Sequence, residues 1–89
     1  MGTAGVKIKL MPSSLEANLE TIKRKAKSII EKNQGKNIRF EEESIAFGLK
    51  AIIAVFEIDE TQELEPIENK LGKIEDINSS QVIDMRRLI

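Results

Sequence analysis

Val6-Lys7-Ile8-Lys9-Leu10-Met11-Pro12 alternates apolar and basic side chains and then meets a proline. Alternation of period two puts Val6, Ile8 and Leu10 on one face of a strand and Lys7 and Lys9 on the other. That describes a sheet covered on one side and wet on the other. After Pro12 the period changes. Leu15, Leu19, Ile22, Ala26, Ile29 and Ile30 recur every three or four residues, the spacing of an apolar stripe along a helix. Ser13 or Ser14 is read as the cap of this helix, with Ser13 and Glu16 at capping-box spacing. Gly35 is read as its stop. Lys23, Arg24, Lys27 and Glu31 fall away from the stripe, and the pairs Glu20–Arg24 and Lys27–Glu31 stand four apart, where they can interact.

The rest of the chain extends this pattern. Asn37 to Glu43 is strand-like, with Ile38 and Phe40 on a shared face among acidic residues. Ile45 to Ile58 is almost continuously apolar and β-branched, as in a central strand, with Gly48 marking a bend or bulge near its start. Asp59 to Gln62 is polar and loop-like. Leu64, Ile67, Leu71 and Ile74 predict a second helix over about Glu63 to Lys73, with Pro66 confined to its first turn. Asn78, Ser79 and Ser80 read as a turn, and Gln81 to Ile89 as a last strand. The order strand, helix, strand, strand, helix, strand predicts an α+β, ferredoxin-like βαββαβ plait. It has a four-stranded antiparallel sheet and two helices on one face.

The chain has 89 residues, enough for a single domain spanning 1–89. It contains no cysteine and no histidine. A thiol nucleophile, a disulfide and the usual imidazole base or metal ligand are therefore excluded. With 14 basic and 15 acidic residues the net charge is −1, which argues against a general nucleic-acid or membrane binder. No apolar run approaches the roughly 18 residues of a membrane span. Met1 to Gly5 lacks the apolar core of a secretory signal, so a cytoplasmic location is expected. No P-loop, G-x-S-x-G or G-x-G-x-x-G motif is present, and neither a cofactor, a metal site nor covalent catalysis is expected.

Several clusters read most simply as solvated surface. Glu41-Glu42-Glu43 suits a charged edge strand. Lys23-Arg24-Lys25-Lys27 suits a wet helix face, and the three phenylalanines do not form the stacking platform of an RNA-binding plait. Two features stand apart. Phe47 sits beside Gly48 within Ser44-Ile45-Ala46-Phe47-Gly48-Leu49-Lys50, where a core residue and an exposed contact are equally good readings. Arg86-Arg87 interrupts the apolar final strand, where a frayed terminus competes with an interface role.

These features carry a resemblance. Leu10-Met11-Pro12 at the end of the first strand, Ser44 to Lys50 in mid-chain, and the ending Asp84-Met85-Arg86-Arg87-Leu88 occur in the order and spacing of the elongation factor one-beta exchange-domain family. The resemblance spans essentially the whole chain. It implies the ferredoxin-like plait and release of GDP, for replacement by GTP, from elongation factor 1-alpha, the GTPase that carries aminoacyl-tRNA. The GTPase would be met in its GDP-bound and nucleotide-free states. In eukaryotic relatives a lysine just before the last residue reaches toward the magnesium and phosphate region of the GTPase. Arg87 matches it in charge, and the reaching cation is Arg87 or its neighbour Arg86. Consecutive strand residues face opposite ways, so the two cannot share one role: Arg87, aligned with that lysine, is the expected reaching cation, while Arg86 orients the terminus or pairs with an acid. The family phenylalanine that contacts the partner corresponds to Phe47. Ile45, Gly48 and Lys50 belong to the same motif and are included in the expected contact surface. Phe47 is expected to be partly exposed at one end of the sheet, close to the final strand. The N-terminal assembly extension of eukaryotic relatives has no counterpart here, so their complex scaffolding is not carried over. The same fold also serves small RNA-binding or ligand-sensing modules and acyl-phosphate hydrolases, and these are the alternatives.

Overall fold

The computed structural model describes residues 2–88. Ile89, expected within the last strand, lies outside the described residues. The elements are β1 (Thr3–Pro12), α1 (Leu19–Lys32), β2 (Lys36–Ser44), β3 (Lys50–Asp59), α2 (Glu65–Gly72) and β4 (Ile77–Arg87). The strands form one sheet in the order β2-β3-β1-β4, and every neighbouring pair is antiparallel. This is the ferredoxin-like plait expected from the periodicities.

The alternation in β1 sets the layers. Ala4, Val6, Ile8 and Leu10 are buried and stand opposite Ile58, Phe56, Ala54 and Ile52 of β3. Residues directly opposite on neighbouring strands share a face, so both sets lie under the helices. Ile22, Ala26 and Ile30 of α1 and Ile67 and Leu71 of α2 complete this core, with Leu19, Ile29, Ile38 and Phe40 packed half-buried at its margin. Lys7 and Lys9 lie on the uncovered face, as their place in the alternation requires. There Lys9 Nζ reaches Glu43 Oε1 at 2.9 Å.

Several boundaries differ from the sequence reading. The first helix starts at Leu19, not beside Ser13 or Ser14. Asn18 is its cap, with Oδ1 accepting from the Thr21 N–H at 3.0 Å, while Ser14 Oγ accepts from the Glu16 N–H in a separate turn. Leu15 therefore leaves the buried stripe. At the other end the left-handed residue is Gln34, with φ 68°. The Gln34 N–H donates to Glu31 O and the Gly35 N–H to Ile30 O, at 3.2 and 2.8 Å, closing the helix. Gly35 is needed because a β-carbon would collide with the Ile30 side chain and stand 3.0 Å from Ile30 O. Third, the apolar run from Ile45 is not one strand, because residues 45–49 form a hairpin connection and β3 starts at Lys50. Fourth, Asn78, Ser79 and Ser80 lie within β4. The chain turns earlier, where Asp76 has φ 72°. Helix α2 is shorter than expected by about one residue at the end and two at the start, with Pro66 in its first turn.

Strand β4 is irregular in a way that matters for its end. Val82 pairs with Ile8 but Asp84 pairs with Lys7, so Ile83 is an extra residue. Such a bulge reverses the alternation beyond it. Val82, Met85 and Arg87 stand opposite Ile8, Val6 and Ala4 on the covered face, whereas Asp84 and Arg86 stand opposite Lys7 and Gly5 on the uncovered one.

Candidate partner-binding site

The expected site residues fall into two groups. The first is the β2–β3 hairpin tip. The Leu49 N–H donates to Ala46 O at 3.0 Å, and the residues between them, Phe47 and Gly48, have φ of 56° and 79°. Positive φ at both central positions marks a turn of the type I′ kind. Glycine accepts it freely, but a phenylalanine there carries about 1–2 kcal/mol of steric cost. The Ile45 N–H donates to Leu49 O at 2.8 Å, so Ile45 and Ala46 together oppose Leu49 and twist the tip. Phe47 is 96% exposed, Ile45 is also exposed, and Leu15 is 64% exposed. Leu15 adjoins the tip, since a β-carbon at Gly48 would stand 3.8 Å from its Cδ2. Lys50 closes the base opposite Ser44, and its Nζ lies 3.8 Å from Glu42 Oε1. The tip is thus an apolar surface with Phe47 at its crest.

The second group is the end of β4. The Ile83 bulge sets which face each arginine takes, the uncovered one for Arg86 and the covered one for Arg87. Arg86 Nε donates to Asp84 Oδ2 at 3.1 Å on the uncovered face. Arg87, 70% exposed, pairs through Nε with Glu60 Oε2 at 2.9 Å. The Leu88 N–H donates to Thr3 O at 2.7 Å, and the Leu88 side chain lies over Gly5, where a β-carbon would be 3.3 Å from its methyl carbons. Leu88 and Gly5 thereby pin the strand end to β1. Glycine at Gly5 leaves the floor of a groove of about 370 Å³ flanked by Lys7, Arg39, Glu57 and Arg86.

The two groups do not meet, contrary to the expectation that Phe47 lies close to the final strand's end. Arg87 is level with Ala4, which is level with Ile58 near the end of β3, whereas the hairpin precedes Lys50 at its start. Eight residue steps along a strand, from Lys50 to Ile58, are roughly 26 Å. The antiparallel register of β1 with both β3 and β4 fixes this separation. Sequence reasoning missed Leu15, which looked like helix core, and Glu60, which looked like loop. The spacing Asn18 to Thr21 was the only signal for the later helix start. For Glu60 the signal was the neighbouring Asp59 and Thr61, which form a side-chain-clamped turn.

Among the described residues no group of three or more metal-ligating side chains occurs, and no helix is long and apolar enough to cross a membrane. The candidate residues stand at the surface of the plait, at the β2–β3 hairpin tip and at the end of β4. The chain matches the EF-1 guanine nucleotide exchange domain over residues 5–88. It is 40% identical to elongation factor 1-beta of Methanocaldococcus jannaschii over 86 residues, covering 96% of this chain and 97% of that one. It is 37% identical to elongation factor 1-beta of Methanosarcina barkeri over 89 residues, covering 99% and 100%. The chain belongs to the EF-1 guanine nucleotide exchange domain family, which implies a guanine nucleotide exchange role in translation elongation.

Proposed function

We propose that the protein accelerates replacement of GDP by GTP on elongation factor 1-alpha, with Arg87 as the cation that disturbs the nucleotide site and the Phe47 tip as a second, apolar contact. No covalent bond is made or broken. The factor binds the nucleotide-free GTPase more tightly than the GDP-bound one, and by linkage GDP and the factor weaken each other equally. A guanidinium brought to about 4 Å from a divalent metal's surroundings competes for its anionic partners. Unit charges at that distance interact by roughly 4 kcal/mol at surface dielectric, against the about 1–3 kcal/mol of an ordinary coupling. One side chain is therefore enough, and excess GTP refills the emptied site.

The observation that carries this reading is the exposure of Arg87 on a strand end anchored by the Leu88–Thr3 hydrogen bond and the Leu88–Gly5 contact. The backbone is held while the charged side chain stays mostly exposed. Phe47 supports a second contact, since a fully exposed ring on a left-handed residue serves neither packing nor backbone comfort. Ile45, Leu15, Gly48 and Lys50 extend that surface. Arg86, tied to Asp84, shapes the strand end. Mixing the protein with elongation factor 1-alpha loaded with fluorescent GDP should accelerate loss of the signal in the presence of unlabelled nucleotide. No acceleration at saturating factor would reject the function.

A further inference from the structure

Glu60 lies in the turn between β3 and α2, and that turn is fixed on both sides. The Thr61 N–H and hydroxyl both donate to Asp59 Oδ1, at 2.9 and 2.6 Å. The Gln62 N–H donates to Asp59 O and the Glu60 N–H to Gly2 O, each at 3.0 Å. The Glu60 side chain, 26% exposed, occupies space that exists because Gly2 has no side chain. A β-carbon on Gly2 would stand 2.6 Å from Glu60 Cδ, 2.7 Å from Oε2 and 2.8 Å from Oε1. From this seat Oε2 takes the Arg87 Nε–H at 2.9 Å. An Arg–Glu pair as open to solvent as this one adds little to folding stability. What it does fix is the direction of a long, rotamer-rich side chain.

We propose that Glu60, seated against Gly2, is a positioning residue that aims the Arg87 guanidinium before the GTPase is met. The proposal rests on the reading of Arg87 as the exchange cation. A side chain held near its working direction loses less freedom on engagement, and small misplacements of a charged group are felt strongly in a rate. Glu60 touches neither nucleotide nor metal in this account and acts only through Arg87. Its removal should therefore lower the maximal rate of GDP release and leave the factor concentration at half-maximal rate nearly unchanged.

Two substitutions disturb the seat differently. Glu60→Ala removes the carboxylate. Gly2→Ala keeps every charge but displaces the carboxylate, at little cost to the fold because the colliding atoms are the far end of a flexible side chain. With elongation factor 1-alpha and fluorescent GDP, Glu60→Ala should lower the maximal acceleration by about three- to tenfold, and Gly2→Ala in the same direction by less. In an Arg87→Ala background Glu60→Ala should change nothing further. In the free protein the Arg87 Nε–H should give an exchange-protected NMR signal that both substitutions abolish. Wild-type rates for Glu60→Ala beside an impaired Arg87→Ala would overturn the positioning role alone. So would an equal loss with and without Arg87, or an Nε–H signal that survives Glu60→Ala. Full activity in Arg87→Ala would remove the underlying reading of Arg87, and the positioning role with it.

Discussion

Phe47 and Arg87 stand at opposite ends of one sheet. Phe47 turns the chain just ahead of Lys50, while Arg87 pairs with Ala4, which pairs with Ile58. The long axis of the molecule is 42 Å, so a partner that engages both residues must be contacted along most of it. Under the proposed function, the hairpin would hold the GTPase while the strand end acts on the nucleotide site. Binding and exchange then become separable by mutation.

Substitution at the hairpin tip tests that separation. Phe47→Ala removes a solvent-exposed ring and should change stability by no more than about 0.5 kcal/mol. Phe47→Gly also relieves the left-handed backbone, and its melting temperature should equal or exceed that of wild type, since about 1–2 kcal/mol of steric cost is removed against about 0.4–1 kcal/mol of added unfolded-chain entropy. Both should raise the factor concentration needed for half-maximal exchange by roughly tenfold or more. A collapse of the melting temperature in Phe47→Ala would make the ring a folding residue.

Ile22 is 2% exposed and sits between α1 and the sheet. Ile22→Ala should cost about 2–5 kcal/mol, measured by denaturant unfolding, with the remaining folded protein exchanging nucleotide normally. A loss below about 1 kcal/mol would mean that the helix layer is not packed as described.

Acid should weaken one link between helix and sheet. Lys23 Nζ donates to Glu42 Oε2 at 2.7 Å, joining α1 to the edge strand β2. That hydrogen bond, with the attraction of the Lys23 charge, holds the Glu42 carboxyl below the usual range. A carboxylate whose folded pKa is depressed adds stability above its unfolded pKa and loses it as the pH falls through the folded one. Wild type should therefore melt slightly above Glu42→Gln near neutral pH, and the gap should close as acid protonates Glu42 below the usual glutamate range. A gap unchanged by acid would show that the pair adds no pH-dependent stability.

How much of this was legible in the sequence depends on the element. The alternation of Val6 to Met11 and the stripe from Leu19 to Ile30 fixed both layers and the plait, because each element buries one face and periodicity reports burial. The hairpin at residues 45–49 was only partly visible: Gly48 signalled a bend, but Ile45, Ala46, Phe47 and Leu49 are as apolar in a turn as in a strand, so the run read as one strand. The Ile83 bulge was invisible. No residue type demands a bulge there, yet it decides that Asp84 and Arg86 share the uncovered face while Arg87 takes the covered one. The separation of Phe47 from Arg87 follows from strand order, which local patterns do not encode.

If a cation at the end of β4 drives exchange, its loss must slow the release of fluorescent GDP from loaded elongation factor 1-alpha. The comparison is wild type against Arg86→Ala, Arg87→Ala, Arg87→Lys and the double alanine variant. Arg87→Ala should fold and bind through the hairpin end but lose most of the acceleration. Arg87→Lys should keep part of it, because the charge survives while the planar fork does not. Arg86→Ala should lose less than Arg87→Ala. Full acceleration by the Arg86→Ala, Arg87→Ala double variant would contradict the cation mechanism.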